Sequence, residues 1–166
     1  MKVSIEARQT LILTITIFVV AWALLAFRLD ALSVWVDEEV SLRIARQPTV
    51  AAVVQQVIEA ERRPPLYHLA LHVWLRLAGN GDVAGRWFSV AFALGCVGVT
   101  LLLGRELGNR HLGFVTAYLL AISPFFILYG RIIRYYSFVM FLGLLSCFFF
   151  VKLLRRGGHG FAELSD

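Results

Sequence analysis

The stretch Thr10-Leu-Ile-Leu-Thr-Ile-Thr-Ile-Phe-Val-Val-Ala-Trp-Ala-Leu-Leu-Ala-Phe27 carries no charge over 18 residues. A helix needs about 20 apolar residues to cross the hydrocarbon core of a membrane, so this stretch predicts a span. Three more uncharged runs of 17 to 19 residues follow it, and each can cross with a modest adjustment of tilt. We therefore predict four transmembrane helices, at about residues 10–28, 87–104, 112–130 and 135–152.

The composition also indicates membrane residence. Hydrophobic residues make up 59% of the 166 residues and charged residues 16%, and the mean hydropathy is +0.74. A soluble domain of this length could not bury so much apolar surface. A net charge of +5 would suggest nucleic acid as the partner of a soluble protein. Here the Lys and Arg residues flank the apolar runs, as membrane loops require, so no nucleic-acid partner is expected.

Residues 1–156 are predicted to form one membrane domain, and residues 157–166 a polar tail. Residues 29–86 form a long outer loop with interfacial helices. One of these helices is indicated by an apolar stripe of helical spacing, formed by Val50, Val53, Val54, Val57 and Ile58. Pro48 and Thr49 supply its start signal, and Pro64-Pro65 a stop. Such a helix is expected to lie in the interface plane with its apolar side toward the membrane. The apolar run 66–75 is too short to cross, and predicts a surface-lying or partly re-entrant helix.

The distribution of basic residues orients the chain. An N-terminus in the cytoplasm puts most Lys and Arg residues of the short loops inside, as the positive-inside rule prefers. Arg131 and Arg134 then lie outside, against that rule. We predict a multi-pass protein of the cell inner or plasma membrane, retained by its first span, with residues 29–86 and the loop that carries Arg131 and Arg134 on its outer side.

Three adjacent acids, Asp37, Glu38 and Glu39, follow the first predicted span in a chain with 11 acidic residues. Asp37 stands just before a helical pattern, where Asp is a good N-cap and glutamates favour the first turn. Three acids exceed what one cap requires, so a second interpretation stays open. In that interpretation one carboxylate is a general base or a metal ligand at the membrane surface.

Arg131 and Arg134 also have two interpretations. Interfacial arginines commonly extend toward water beside the tyrosines of the aromatic belt. Arginines kept against the charge rule equally indicate an anionic partner, because guanidinium groups bind phosphate through two parallel hydrogen bonds.

The turn Arg62-Arg63-Pro-Pro before His68 is either a helix end near lipid headgroups or a substrate contact. His68 and His72, without a third ligand nearby, make a weak metal site.

Six short motifs, taken in order, resemble the multi-pass glycosyltransferases of the GT-C fold. They are Trp35-Val-Asp37-Glu38, Arg63-Pro-Pro-Leu-Tyr67, Gly85-Arg86, Gly104-Arg-Glu-Leu-Gly108, Leu120-Ala-Ile-Ser-Pro124 and Gly130-Arg131…Arg134-Tyr135. The similarity is greatest to the protein O-mannosyltransferase and aminoarabinose-transferase group (glycosyltransferase family 39), over about residues 30–150. The resemblance implies an all-α integral membrane fold. That fold is the N-terminal part of a GT-C bundle, with about four transmembrane helices and interfacial helices on the outer face.

The resemblance also implies an enzymatic function. A sugar is transferred, with inversion, from a polyprenyl-phosphate donor to a hydroxyl of a lipid or protein acceptor on the non-cytoplasmic face. Asp37 would be the catalytic base and Glu38 its companion. Substrate and phosphate binding would come from Arg63, His68, Arg86, Arg131, Arg134 and Tyr135. A divalent cation stays open as a cofactor, and no residue is assigned to a metal.

Two departures from the family pattern qualify this expectation. Some relatives carry an acid in the loop after the third span, where this chain has Tyr135 and Tyr136, which weakens a two-carboxylate metal site. These enzymes also have many more spans, so the resemblance implies further spans or a partner subunit. The alternative function is a non-catalytic membrane scaffold or lipid-binding subunit, or an inactive fragment of such an enzyme, in which the acids only cap a helix.

Overall fold

The computed structural model describes residues 2–31, 33–62 and 64–162, and the side chains of those between 6 and 155. All regular secondary structure in the described residues is helical, which confirms the predicted all-α membrane fold. The α-helices are α1 Lys2–Ala26, α2 Val36–Ala45, α3 Val50–Ala60, α4 Leu66–Ala78, α5 Asp82–Leu107, α6 Arg110–Ala121, α7 Pro124–Arg131 and α8 Tyr136–Ala162. A 3₁₀ turn, Leu29–Ala31, connects α1 to α2. Helix α8 continues into the predicted polar tail as far as Ala162.

Among the described residues three helices, α1, α5 and α8, are long and apolar enough to cross a membrane. The third predicted span, 112–130, is instead a pair of helices, α6 and α7, bent by 63°. Pro124 explains the break, because it has no N–H to continue α6 and disfavours helical backbone at the residue before it. That residue, Ser123, has extended backbone (φ −66°, ψ 122°), and Pro124 opens α7. By length and composition, three of the described helices could each cross a membrane, and the bent pair would add a fourth crossing if it crosses as one.

Contacts between helix ends give the directions of the helices. Arg110, at the start of α6, forms a 2.7 Å ion pair with Glu6 in α1. At the opposite end of the bundle, Arg131 in α7 donates a hydrogen bond to the carbonyl of Phe27, just after α1. Arg86, near the start of α5, donates to the carbonyl of Leu29 there (2.8 Å). Thus α1 and the α6–α7 pair run one way and α5 the other. The α1–α2 and α7–α8 connections meet at one end, which we call the site end.

Helix α5 lies at the centre of the bundle. In the most apolar 18 residues of α5, half of the residues are buried within the protein. The corresponding share is 17% for α1 and 11% for α8. Its close contact with α6 depends on two glycines. A Cβ atom on Gly104 would lie 2.7 Å from the Cα of Gly113, and one on Gly113 would lie 2.5 Å from the carbonyl oxygen of Leu101. Small residues of this kind let two helix backbones approach closely inside a membrane.

Helices α2, α3 and α4 form a layer over the site end. The predicted start of α3 is confirmed, since the Thr49 side chain accepts a hydrogen bond from the Ala52 N–H (3.2 Å). The apolar stripe of α3 faces the protein more than expected. Val53 and Val57 are buried against Ile44 of α2, and only the flanking members of the stripe are exposed. The stripe therefore holds the layer together rather than lying wholly against the membrane.

Helix α4, predicted to lie at the surface, is buried on one side by α2 and α5. Its residues Leu71 and Leu75 pack with Leu42 in the core of the site end. The buried His72 donates from its Nδ1 atom to the carbonyl of Ala45, at 2.7 Å. His72 therefore connects α4 to the end of α2.

Candidate functional site

The three acids lie within the first turn of α2, and none of them is the N-cap residue. The N-cap is Trp35, and Asp37 is already inside the helix. The carboxylate that reaches back is that of Glu38, which accepts a hydrogen bond from the Trp35 N–H (3.0 Å). Glutamate at this third helical position commonly binds the N-cap backbone in this way. Asp37 and Glu39 keep the first-turn position, but the assignment of Asp37 as N-cap is wrong.

Glu38 is buried, with 2% of its surface exposed. Its carboxylate also accepts a hydrogen bond from the Ile133 N–H (2.9 Å) and lies 3.4 Å from the Arg86 guanidinium. One side chain therefore joins the start of α2, the start of α5 and the connection between α7 and α8. A buried carboxylate is stable only with such partners, because burial without them costs several kcal/mol.

Arg86, predicted to bind phosphate, is also buried (1% exposed). It donates hydrogen bonds to the carbonyls of Leu29 and Ser33, at 2.8 and 3.1 Å, in addition to its contact with Glu38. The preceding glycine makes room for this arrangement. A Cβ atom on Gly85 would lie 2.9 Å from the Ile133 side chain. The Gly85-Arg86 motif thus fastens the α1–α2 connection to α5.

Asp37 faces outward into an open polar pocket of about 300 Å³, lined by Asp37, Val40, Ala60, Glu61 and Arg134. Its side chain is 67% exposed, and its Oδ1 atom lies 3.6 Å from the Arg134 guanidinium. Arg134 also donates to Glu61 at 2.7 Å. We call this the Asp37 pocket. It holds one guanidinium between two carboxylates.

The electrostatics of the Asp37 pocket keep Arg134 charged. Burial by itself would lower the pKa of Arg134. The hydrogen bond and charge of Glu61, together with the charge of Asp37, outweigh burial and raise this pKa above its ordinary range. The guanidinium is thus a cation shared by two carboxylates, those of Asp37 and Glu61.

Glu61 was not among the predicted site residues. It caps the C-terminal end of α3, where the next residue, Arg62, takes a left-handed backbone conformation (φ 51°) that ends the helix. A signal was present in the sequence, because a carboxylate near a helix C-terminus is unfavourable to the helix dipole. An acid in that position needs a cationic partner, and Arg134 is that partner.

His68 and Tyr135, both predicted to bind substrate, line a second cavity with Glu61 and do not line the Asp37 pocket. The buried His68 has its Nε2 atom 3.9 Å from the Glu61 carboxylate. The Arg134 guanidinium lies over the Tyr135 ring, 5.6 Å from its centroid. Tyr67 packs edge-on against both rings, and burial raises the pKa of its phenol so that the group stays neutral.

Arg131 belongs to a separate cavity. It lines a smaller space of about 120 Å³ together with Ser33, Trp35, Glu38, Arg86, Leu128 and Ile132. The first turn of α2 separates this cavity from the Asp37 pocket, so the neighbouring acids Asp37 and Glu38 face different spaces. The predicted site is therefore divided. Asp37 and Arg134 share one pocket, Glu38, Arg86 and Arg131 share another, and Arg63 lies outside the described residues.

Metal-binding potential was tested on the donor groups themselves. In the part of the chain that the structure describes, no three His, Cys, Asp or Glu side chains group closely enough to hold a metal ion. The two carboxylates of the Asp37 pocket, those of Asp37 and Glu61, both contact the Arg134 guanidinium. The described residues thus contain no preformed site of three such ligands.

Comparison with known proteins gives one match. Residues 62–161 match the family model described as dolichyl-phosphate-mannose-protein mannosyltransferase. No curated protein and no solved structure is similar enough to count as a match. The matched region begins just before the Arg63-Pro-Pro turn and includes Arg86, Arg131 and Arg134, whereas Asp37 and Glu61 precede it. Since the match covers more than half of a chain built around membrane-length helices, this integral membrane protein belongs to the dolichyl-phosphate-mannose-protein mannosyltransferase family, a family of membrane glycosyltransferases.

Proposed function

We propose that the protein transfers a sugar from a polyprenyl-phosphate donor to an acceptor hydroxyl at the non-cytoplasmic face of the membrane. The observation that carries this proposal is the exposed carboxylate of Asp37, 3.6 Å from the charged Arg134 in an open pocket. A base and an anion-binding cation side by side are what transfer from a phosphate-linked sugar requires.

The chemistry follows from these two groups. Asp37 accepts the proton of the acceptor hydroxyl as the oxygen attacks the anomeric carbon. The bond from that carbon to the phosphate oxygen breaks, and the phosphate leaves with the electron pair. The developing charge on the phosphate is stabilised by Arg134, so no acid is needed to protonate the leaving group. Because one displacement takes place on the face opposite the leaving group, the configuration of the sugar is inverted.

The other predicted residues receive supporting roles. Glu38, in this proposal, is a positioning residue that holds the first turn of α2 and hence Asp37. Arg86 fixes the same turn through Glu38 and the α1–α2 connection. Arg131, beside a cavity with a buried arginine, is a second place for the phosphate or for a lipid headgroup. His68 and Tyr135 line the approach to Glu61. Arg63 keeps its predicted phosphate role.

The face of the membrane follows from the charge rule. Arg110 and Glu6 lie at the end opposite the site, where Arg105, in the last turn of α5, also lies. The positive-inside rule assigns that end to the cytoplasm. The Asp37 pocket is then on the non-cytoplasmic face, where the acceptor is a lipid or a protein.

Transfer by the wild-type chain and by Asp37→Asn, reconstituted in lipid vesicles with a polyprenyl-phosphate mannose donor, tests the proposal. We expect Asp37→Asn to lower the rate by about 10²–10⁴-fold, the usual contribution of a general base. Glu39→Gln, which removes an exposed carboxylate two residues away, is the matched control and should keep the rate. Full activity of Asp37→Asn would overturn the assignment of the base. Absence of transfer by the wild-type chain would favour the non-catalytic alternative.

A further inference from the structure

The end of the bundle opposite the site end carries an excess of positive charge, and we call it the basic end. Helices α1 and α6 begin there and α5 ends there. Phe141 of α8 packs at Gly95 of α5, so these two parallel helices bring Lys152 level with Arg105. Among the described side chains, the basic end has five Lys and Arg residues and two acids, an excess of three positive charges. The basic residues are Arg8, Arg105, Arg110, Lys152 and Arg155, and the acids are Glu6 and Glu106.

Arg105, in the last turn of α5, differs from the arginines of the site end. There, Arg86 and Arg134 each lie beside a carboxylate of the protein. The guanidinium of Arg105 instead lies over the Phe114 ring, 5.0 Å from its centroid. Its Nε and Nη2 atoms are buried and form no hydrogen bond within the part of the chain that the structure describes. Partial removal of a charge from water without a partner costs free energy, which a neighbouring anion would offset.

Arg110, at the start of α6, lies close to Arg105. The Arg105 side chain packs against Gly113, where an added Cβ atom would lie 2.8 Å from its Cγ atom, and Arg110 stands one helical turn before Gly113. Arg110 pairs with Glu6, but the two side chains are 47% and 61% exposed. An ion pair so open to water is weak, so Glu6 offsets only part of the positive charge. The acids of the basic end therefore do not balance these two arginines.

Exposed apolar side chains border the basic end on its membrane side. Leu107 and Leu112 flank the connection between α5 and α6, and both are exposed. On α8, Phe150 and Leu153 are also exposed, near Lys152. The basic end thus has cationic groups beside an apolar surface, which matches the anionic headgroup and the acyl chains of a phospholipid.

We propose that the basic end binds anionic phospholipids of the surrounding membrane, with the headgroup at Arg105 and Arg110. The headgroup supplies the negative charge that the described residues do not place beside Arg105. The positive-inside rule assigns this end to the cytoplasm, and the cytoplasmic leaflet is the one that carries anionic lipids and attracts basic residues near its surface. This inference does not depend on sugar transfer, because it concerns the end of the bundle opposite the Asp37 pocket.

Competitive lipid binding to the purified full chain, measured by native mass spectrometry, tests this inference. The probes are phosphatidylglycerol and phosphatidylcholine with identical acyl chains, which share a phosphate and differ in net charge. We expect the wild type to prefer phosphatidylglycerol, and Arg105→Gln to reduce this preference about fivefold, which corresponds to about 1 kcal/mol for one basic residue. Arg105→Lys keeps the charge and should keep the preference. Arg43→Gln, at an exposed arginine of α2 in the site end, is the matched control and should also keep it.

A second variant and a crosslinking measurement locate the bound lipid. Arg110→Gln changes an exposed side chain that the fold does not depend on, and should also reduce the preference about fivefold. In lipid nanodiscs, phosphatidylglycerol with a photoactivatable group near the start of one acyl chain should label Leu107 and Leu112 more than the matching phosphatidylcholine probe does. At Leu128, an exposed leucine of α7 in the site end, the two probes should label equally.

Three outcomes would each overturn the inference. The first is equal binding of the two lipids by the wild type. The second is an equal effect of Arg105→Gln, Arg110→Gln and Arg43→Gln on the preference. The third is displacement of phosphatidylglycerol by inorganic phosphate, which would assign the arginines to a free anion. Loss of the preference in Arg105→Lys as well would show that the shape of the guanidinium, and not its charge, is required, and would also contradict the proposal.

Discussion

The backbone N–H of Ile133 donates a 2.9 Å hydrogen bond to the carboxylate of Glu38, 95 residues earlier in the chain. Ile133 lies directly before Arg134, and Glu38 directly after Asp37. This hydrogen bond therefore holds the backbone next to Arg134 close to the backbone next to Asp37. Because Glu38 also contacts Arg86, the same side chain ties the pocket to α5.

Removal of the Glu38 carboxylate should destabilise the protein and separate Asp37 from Arg134. We expect Glu38→Ala to lower the free energy of unfolding by about 3–5 kcal/mol, because it removes the carboxylate beside the buried Arg86 charge. Glu38→Gln keeps an acceptor for Ile133 and should cost less. Thermal unfolding in detergent measures both, with the exposed Glu39→Ala as control. A Glu38→Ala protein as stable as the Glu39→Ala protein would contradict the role of Glu38 as a structural link.

Neutralising Glu61 should slow sugar transfer. Glu61→Gln replaces a charge-assisted hydrogen bond to Arg134, worth about 1.5–3 kcal/mol, by a weaker one. Arg134 then pairs more closely with Asp37, which makes that carboxylate a poorer base, and we expect the rate to fall about tenfold or more. Glu59→Gln, at an exposed acid two residues earlier on the same helix, is the control. Equal rates for the two variants would show that Glu61 does not act on the site.

The contact between α5 and α6 should not tolerate even one methyl group. A Cβ atom at Gly104 would lie 2.7 Å from the backbone of Gly113, so the helices must separate or the backbone must shift. We expect Gly104→Ala to cost about 1–3 kcal/mol in stability. Gly143→Ala, on α8, meets no atom within 4 Å and should be neutral or slightly stabilising. Thermal unfolding of both variants checks this, and equal unfolding temperatures would contradict the close crossing.

The uncharged runs predicted the membrane-length helices well but not their ends or their continuity. Helix α5 begins at Asp82, before the predicted span, because polar residues continue the helix beyond the apolar core of the membrane. The break between α6 and α7 depends on a single residue, Pro124, within an apolar run. Hydropathy takes no account of a missing N–H, so the run predicted one continuous helix where there are two.

The arrangement of the candidate site could not be predicted from the sequence. The sequence indicated that Asp37 and Arg134 belong to one site, and they do share a pocket. It could not assign Glu38 to the interior, because that depends on Arg86 and Ile133, which are distant in sequence. Glu61 was missed for a related reason. Its partner Arg134 is 73 residues away, and local patterns describe only near neighbours.

Because Tyr67 is buried, the protein should lose stability at alkaline pH. Burial raises the pKa of its phenol above the ordinary value of about 10, so the folded state holds this proton more tightly than the unfolded state. The resulting stabilisation is complete below about pH 10 and is lost as the pH rises above that value, because only the unfolded chain then releases the proton. We expect the unfolding temperature of the wild type to fall between about pH 9.5 and 11, and that of Tyr67→Phe to fall less steeply over the same range. Tyr118→Phe, at an exposed tyrosine of α6, is the control and should follow the wild type. Parallel curves for all three proteins would show that the Tyr67 phenol does not contribute to this loss of stability.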